Sequence, residues 1–252
     1  MRRWDAARAR ARQVAPLLAP SVMCADWLRM GAEVRMMERG GADLLHFDVV
    51  DGHFAPNFIV GLDLIRALRS VTELPFEVHM MVREPDGVLE QFAAAGVQLV
   101  IVHPEACSDP AATILKIREL GMRAGLALSP EIPADAAASH RHLIDLVLVM
   151  TIVPGVGGQS LIPEMIPKIG AVHRALAEDA TRVLIEVDGQ VSRTVAPGMV
   201  RQGARVLVCG TSSIFGRAGG TRAELQGFRA DLVQALGNSW PSPAEDGAGR
   251  PT

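Results

Sequence analysis

Two histidines and two aspartates lie within an otherwise hydrophobic segment, LLHFDVVDGHFAPN, which covers residues 44–57. His46 and Asp48 are two positions apart, and residues two apart on a β-strand point to the same face. A buried ionised carboxylate is costly unless it is paired or bound to a metal. The segment therefore predicts a strand with a functional pair on one face, although a single buried histidine or an Asp-Gly turn can also be purely structural.

Two more hydrophobic runs contain similar side chains near their ends. His79 lies in PFEVHMMV, and Asp188 ends the run in RVLIEVDG. Two imidazoles and two carboxylates together suit a borderline or hard divalent ion such as Zn, Fe, Mn or Co. Whether His46, Asp48, His79 and Asp188 meet at one point depends on the fold that carries them.

Short apolar runs alternate with longer segments of helical periodicity throughout the chain. The runs are rich in β-branched residues, as is typical of strands that are buried on both faces. The intervening segments repeat apolar residues at helical spacing and often begin or end at Pro, Asp or Gly. Eight such runs can be counted: LLAPSVM, LLHFDVV, PFEVHMMV, LVIVHPE, RAGLALS, LVLVMTIV, RVLIEVDG and VLVCGTS.

The position of the polar residues distinguishes between two architectures for eight strand–helix units. A closed barrel gathers its chemistry at the carboxyl ends of all its strands, whereas an open doubly wound sheet concentrates it at one switch point. Nearly every run here ends in a polar or flexible residue, and no GxGxxG motif follows the first run. The sequence therefore predicts an α/β protein with a (β/α)8 TIM barrel over residues 17–237.

Glycine-rich loops follow the last three runs. PGVGGQS can expose successive backbone N–H groups without interference from side chains, and the segments after the seventh and eighth runs are also small and flexible. Loops at these positions of a barrel commonly bind phosphate through N–H dipoles. We expect a phosphorylated ligand near Gly155, Val156, Gly157, Gly158, Gly189, Gln190, Gly210 and Thr211.

Bulk composition points to a soluble protein that acts on a small molecule. The chain has 252 residues, of which 49% are hydrophobic, and a formal net charge of −3. Without basic blocks or long apolar segments, neither a nucleic-acid nor a membrane partner is expected. The three cysteines have no metal-binding or disulfide spacing, which fits the cytoplasm.

The two ends of the chain are expected to lie outside the barrel. Residues 1–16 are expected to be a solvated extension, flexible or a short helix rather than an organellar presequence. Residues 238–252 are expected to be a disordered tail.

The combination of motifs resembles the ribulose-phosphate 3-epimerase family from about residue 18 to residue 216. The matching motifs are APSVMCAD, HFDVVDGHFAPN, EVHMMV, VHPEA, MTIVPGVGGQS, IEVDG and CGTSSIFG. The resemblance implies a (β/α)8 barrel and an isomerase of the pentose phosphate pathway. Such an enzyme would invert carbon 3 of a ketose phosphate, interconverting D-ribulose 5-phosphate and D-xylulose 5-phosphate.

The resemblance also implies a role for each matching residue. One divalent metal ion (Zn, Fe, Mn or Co) would be held by His46, Asp48, His79 and Asp188, with Asp48 and Asp188 as the acid/base pair. Ser21 and His79 would contact the sugar, and the residues of the glycine-rich loops would bind its phosphate. Met81 and Met150 would line the reacting face of the sugar, although the sequence alone favours core packing for them. Family members usually form homo-oligomers.

Three positions depart from the commonest family pattern and leave the identity of the sugar open. Val50 stands in place of a methionine, Gln190 in place of a frequent glycine, and Val156 in place of a phenylalanine. The motifs SVMC, VHPEA, IPEM and CGTSS are also similar to the allulose-6-phosphate 3-epimerase branch, whose substrate is one carbon longer. Two further hypotheses are a barrel decarboxylase, for which the strand runs lack the usual lysine, and a non-catalytic sugar-phosphate sensor.

Overall fold

A nine-stranded sheet forms the centre of the computed structural model, which describes residues 2–13, 15–59, 61–177, 179 and 182–237. Eight strands are parallel, and the short β3 is antiparallel to β2. Each of the eight predicted runs contains one parallel strand. In chain order the strands are β1 (Leu17–Pro20), β2 (Leu45–Asp51), β3 (Phe58–Ile59), β4 (Phe76–Met81), β5 (Leu99–Val102), β6 (Arg123–Leu128), β7 (Leu146–Met150), β8 (Leu184–Asp188) and β9 (Val206–Cys209).

The sheet closes into a barrel. Adjacent strands follow the order β1-β9-β8-β7-β6-β5-β4-β2, with β3 at the outer edge of β2. The remaining gap is closed by a parallel bridge between Ser21 and His46 and by a hydrogen bond from Asp43 N to Leu18 O of 3.0 Å. The predicted barrel is thus confirmed, and the open sheet is excluded, since β1 and β2 are neighbours.

One α-helix follows each barrel strand, and a further helix precedes β1. Local sequence explains several helix starts: before α5, the Asp109 carboxylate accepts hydrogen bonds from Ala111 N and Ala112 N, and Pro110 occupies the first turn. The helices are α1 (Arg2–Gln13), α2 (Met30–Arg39), α3 (Leu62–Arg69), α4 (Leu89–Ala94), α5 (Pro110–Glu119), α6 (Asp135–His140), α7 (Met165–Leu176), α8 (Ala196–Arg201) and α9 (Gly220–Leu236).

Strand alternation divides the interior into two layers. In β2, Phe47 and Val49 pack in the larger cluster between the sheet and the helices, whereas Leu44, just before the strand, belongs to a second cluster inside the barrel. Because side chains alternate between faces, His46 and Asp48 point into the barrel with Leu44. Apolar residues therefore fill one end of the barrel, and polar residues are left to occupy the other.

The helix α1 covers the amino-terminal end of the barrel. Trp4 is fully buried and, with Ala11, belongs to the cluster inside the barrel, against which Ala7 also packs. Ion pairs hold the helix in place, among them Arg10–Asp43 at 2.7 Å. The short helix is one of the two states expected for this extension, but its inner face is packed on the barrel and not solvated, because Trp4, Ala7 and Ala11 recur at helical spacing and form an apolar face.

We expect Trp4→Ala to lower the free energy of unfolding by about 3–5 kcal/mol, the usual loss when a buried aromatic side chain is truncated. Trp4 lies at the amino-terminal end of the strands, so kcat should not change. Urea denaturation checks the first expectation, and steady-state kinetics the second. A loss below about 1 kcal/mol would show that α1 contributes little to the stability of the barrel.

The expectation for the carboxyl-terminal end of the chain stays a prediction. The predicted disordered tail, residues 238–252, lies outside the described residues. Within the part of the chain that the structure describes, no helix combines the length and hydrophobicity needed to cross a membrane.

Candidate active site

A cavity of about 150 Å³ opens at the carboxyl ends of the barrel strands. Most residues that the sequence singled out line it: Ser21, Asp48, Met81, Met150, Gly155, Val156, Gly157, Gly158, Asp188, Gly189, Gln190, Gly210 and Thr211. His46 and His79 are fully buried and do not line the cavity, so a contact between His79 and a sugar stays a prediction. Several apolar lining residues were missed, including Met23, Ile59 and Ile152.

The two histidines and two aspartates meet beside the cavity. Asp48 Oδ1 lies 3.3 Å from His46 Nε2 and 3.3 Å from His79 Nδ1, and His79 Nδ1 lies 3.9 Å from Asp188 Oδ2. One ligand atom from each of the four residues lies within 4.8 Å of all the others. Ligand atoms around a tetrahedral ion with bonds of 2.0–2.2 Å are about 3.3–3.6 Å apart. The group therefore has the donor types of a metal site, and its two shortest separations match the spacing around a tetrahedral ion.

Both aspartates reach the cavity from different sides of the barrel. Asp48 lies on β2 and Asp188 on β8, and their side chains are 15% and 18% exposed, whereas the histidines between them are 0% exposed. Ser21 Oγ donates a hydrogen bond of 2.7 Å to Asp48 Oδ2 and fixes that carboxylate. The carboxylates are therefore the members of the group that a ligand in the cavity can touch.

The surroundings push the pKa values of the two aspartates in opposite directions. Burial alone would raise the pKa of Asp48, but the charge and hydrogen bonds of His46 and His79 outweigh it, and the pKa falls below its usual range. Burial and the neighbouring charge of Asp48 raise the pKa of Asp188 to about 6. Near neutral pH, one carboxyl group is firmly ionised and the other binds a proton more readily.

Buried carboxylates orient His46 from behind. His46 Nδ1 lies 2.9 Å from Glu77 Oε1 and 3.5 Å from Glu186 Oε1, and both glutamates are fully buried. Burial would lower the pKa of His46, but Asp48 and the two glutamates raise it well above its usual value. A proton on Nδ1 shared with Glu77 leaves Nε2, which faces Asp48, as the nitrogen that can bind an ion.

The other histidine has a second imidazole behind it. His79 Nε2 lies 2.8 Å from His103 Nε2, and His103 Nδ1 lies 3.0 Å from Glu105 Oε1. Burial lowers the pKa of His103 to about 4 despite its hydrogen bond to Glu105, so this imidazole is neutral. One arrangement satisfies both of these contacts: His103 Nδ1 donates to Glu105, and His103 Nε2 accepts a hydrogen bond from His79 Nε2. His79 Nδ1, which faces Asp48, then carries no hydrogen and has a lone pair that can bind an ion.

The supporting glutamates were missed at the sequence level, although a signal was present. Glu77 precedes His79 by two residues, and Glu186 precedes Asp188 by two, the same spacing as His46 and Asp48. Since residues two apart share a face of a strand, each pair places one polar side chain in the site and one directly beneath it.

Close contacts between loops require glycine at two points of the cavity wall. Gly155 has φ +84°, and a Cβ atom there would collide with Ala55. Gly189 has φ +103°, and a Cβ atom would lie 2.6 Å from Ile152 Cγ1. The loops after β7 and β8 can therefore adopt this close arrangement because glycine occupies these positions.

The chain has close relatives among proteins of known family. The model of the ribulose-phosphate 3-epimerase family matches residues 17–215, which contain the whole four-residue group. The chain belongs to this family. The ribulose-phosphate 3-epimerase of Bacillus subtilis (strain 168) is 42% identical over 215 residues, which cover 84% of this chain and 99% of that relative. The chloroplastic ribulose-5-phosphate-3-epimerase of Arabidopsis thaliana is 39% identical, covering 79% of this chain and 72% of the relative.

Solved structures of more distant proteins share the barrel. Phosphoribosyl anthranilate isomerase from Thermus thermophilus has a TM-score of 0.62 at 15% identity, covering 86% of this chain and 98% of that one. A mutant tryptophan synthase α-subunit from Pyrococcus furiosus gives 0.62 at 13% identity, with coverages of 90% and 99%. At these identities the likeness supports the TIM-barrel fold alone. Membership of the epimerase family places the chain among the isomerases.

Proposed function

We propose that the protein interconverts D-ribulose 5-phosphate and D-xylulose 5-phosphate by moving a proton at carbon 3. The observation that carries this proposal is the convergence of Asp48 and Asp188, from distant strands, on one cavity beside two buried histidines. The name of a relative with 42% identity supports the choice of substrate.

Proton transfer would use the two carboxyl groups on opposite sides of the substrate. The hydrogen on carbon 3 is acidified by the adjacent carbonyl group, and its removal by one carboxylate leaves an enediolate. Inversion requires that a proton return to the other face, so the second group must start protonated. In the protein without a bound ion, the pKa of Asp48 is lowered and that of Asp188 is raised to about 6, so Asp48 is the more firmly ionised group and Asp188 is the one that takes up a proton more readily.

We propose His46, Asp48, His79 and Asp188 as the ligands of one divalent ion, either Zn, Fe, Mn or Co. The donor set fits, and Glu77 and His103 would hold the imidazoles in the required tautomers. When bound, such an ion would supply positive charge that stabilises the negative oxygen atoms formed on proton removal. The protein's own contribution is to orient the two carboxylates and to limit access of water to the buried histidines.

The phosphate group of the substrate would bind to the loops after β7, β8 and β9. The glycines at 155, 157, 158, 189 and 210 line the same cavity as the two aspartates. Backbone N–H groups in such loops attract anions without a lysine or arginine. Met81 and Met150 line the cavity beside the aspartates and would contact the apolar face of the sugar.

The substrate assignment is tested by comparing kcat/KM for D-ribulose 5-phosphate and D-allulose 6-phosphate with the same enzyme preparation. We expect clear preference for the five-carbon substrate, since the relatives from Bacillus subtilis and Arabidopsis thaliana are named for it. A preference for the hexulose phosphate would contradict the assignment while keeping the chemistry.

A homo-oligomer in the cytoplasm is a further proposal, and light scattering tests the oligomeric state.

Metal affinity should rise with pH. In the metal-free protein, Asp188 binds a proton with a pKa of about 6. The pKa of His46 is raised well above its usual value, so this side chain also carries a proton near neutral pH. Both protons compete with a metal, so lowering the pH through 6 weakens binding, by about tenfold per pH unit for each proton displaced. Competition with a chelating dye between pH 5 and 8, corrected for protonation of the dye, measures this. A pH-independent dissociation constant would contradict the proposed ligand set.

A further inference from the structure

Gln190 has a backbone conformation that glycine normally adopts. Its φ is +48°, in the left-handed region where a non-glycine residue is strained. Two more described non-glycine residues, Glu84 and Ala177, also have positive φ, but neither lines the cavity. The strained glutamine therefore lies in the wall of the cavity.

The side chain of Gln190 connects two loops. Its Nε2 donates a hydrogen bond of 2.6 Å to the carbonyl oxygen of Gln159, which lies in the loop after β7, whereas Gln190 itself lies in the loop after β8. Glycine cannot make this contact. The favourable bond thus accompanies the unfavourable φ at the same residue.

Further amide groups continue the connection along the glycine loop. Gln159 Nε2 donates to the carbonyl oxygens of Val153 and Val156, at 2.8 and 2.7 Å. Asn57 Nδ2 donates to the carbonyl oxygen of Gly155 at 3.1 Å. Carbonyl oxygens repel an anion and N–H groups attract it, so amides that engage the carbonyl groups leave N–H groups of the loop for a ligand.

We propose that Gln190 is a positioning residue for phosphate binding, which acts by fixing the distance between the loops after β7 and β8. This inference rests on the proposed function, because it assumes that these loops bind the phosphate of the substrate. Loops that are ordered before the ligand arrives lose less conformational entropy on binding. Removing the connection should therefore weaken phosphate binding and leave proton transfer largely intact.

Two variants test this role. Gln190→Gly removes the side chain and accepts the positive φ without strain, so it should fold. Gln190→Asn also tolerates this φ but is one methylene shorter, which prevents the amide from reaching Gln159. In both variants we expect KM for D-ribulose 5-phosphate and the inhibition constant of inorganic phosphate to rise about two- to tenfold, the factor that one net hydrogen bond contributes. The change in kcat should stay below about twofold.

Glu84→Gly is the matched control, since it relieves the same kind of backbone strain at φ +52° outside the cavity wall. It should leave KM and phosphate inhibition unchanged. Unchanged values in both Gln190 variants would overturn the positioning role, as would an equal rise in KM in the control. If the wild-type protein lacks epimerase activity, the proposed function fails. The role of Gln190 is then decided by the concentration of inorganic phosphate that raises the melting temperature, which should be higher for the two Gln190 variants than for the wild type.

Discussion

Replacing Asp188 by asparagine is expected to lower kcat for epimerisation by about 10²–10⁴-fold, the contribution of a positioned acid or base. Asparagine has the same shape and retains one oxygen atom, but it cannot carry the transferred proton. The raised pKa of Asp188, about 6, suits a group that alternates between acid and base near neutral pH. Proton NMR of both epimers as they interconvert measures the rate.

Exchange of the carbon 3 hydrogen with deuterium oxide gives a sharper result. With Asp48 intact, the Asp188→Asn variant should still exchange the hydrogen of one epimer, and Asp48→Asn should exchange that of the other. The reason is that each carboxylate faces one side of the substrate. If both variants exchanged the same epimer, or if either kept near-normal turnover, the two-sided mechanism would be wrong.

Controls separate proton transfer from metal binding, because both aspartates also belong to the ligand group. The metal content of each variant is measured alongside its rate, and activity is compared at full occupancy. Asp63→Asn serves as the matched substitution, since the Asp63 side chain is 97% exposed and lies in α3. It should change neither the rate nor the metal content.

Periodicity in the sequence was sufficient to predict the barrel and the direction of its functional side chains. The alternation of His46 and Asp48 with Phe47 and Val49 predicted opposite faces, and the structure places the latter pair beneath the helices. Short buried strands with polar ends have few possible arrangements, because each apolar residue must be covered and each carboxylate must be paired. Each of the eight parallel strands lies in one of the apolar runs that this periodicity identified.

Features that depend on contacts between distant segments were not predictable in the same way. The strand β3 forms because Phe58 and Ile59 pair with the end of β2. Two residues are too few to show the periodicity by which a strand is predicted. The burial of Trp4 depends on the open amino-terminal end of the barrel. The hydrogen bond from Gln190 to Gln159 could not be predicted, because the sequence does not show that the two loops lie side by side. The unusual residue at position 190 was itself visible in the sequence.

His79→Ala is expected to weaken metal binding by at least about 100-fold, more than the 10–100-fold that the loss of an orienting partner costs. His79 Nδ1 lies 3.3 Å from Asp48 Oδ1 and 3.9 Å from Asp188 Oδ2, so the imidazole is close to both carboxylates of the ligand group. Titration with Co²⁺ provides both a dissociation constant and a visible spectrum that reports the coordination. His142→Ala is the matched control, since that side chain is 71% exposed.

Removal of His79 also leaves His103 without its neighbour, so loss of structure must be distinguished from loss of a ligand. His79→Gln retains a polar group in the same space, and circular dichroism verifies that both variants are folded. If a folded variant bound Co²⁺ as tightly as the wild type but lost turnover, His79 would act on the substrate or on Asp48 rather than on an ion. In that case the two aspartates would still exchange protons with carbon 3, but the buried histidines would serve to set the pKa values of these carboxylates.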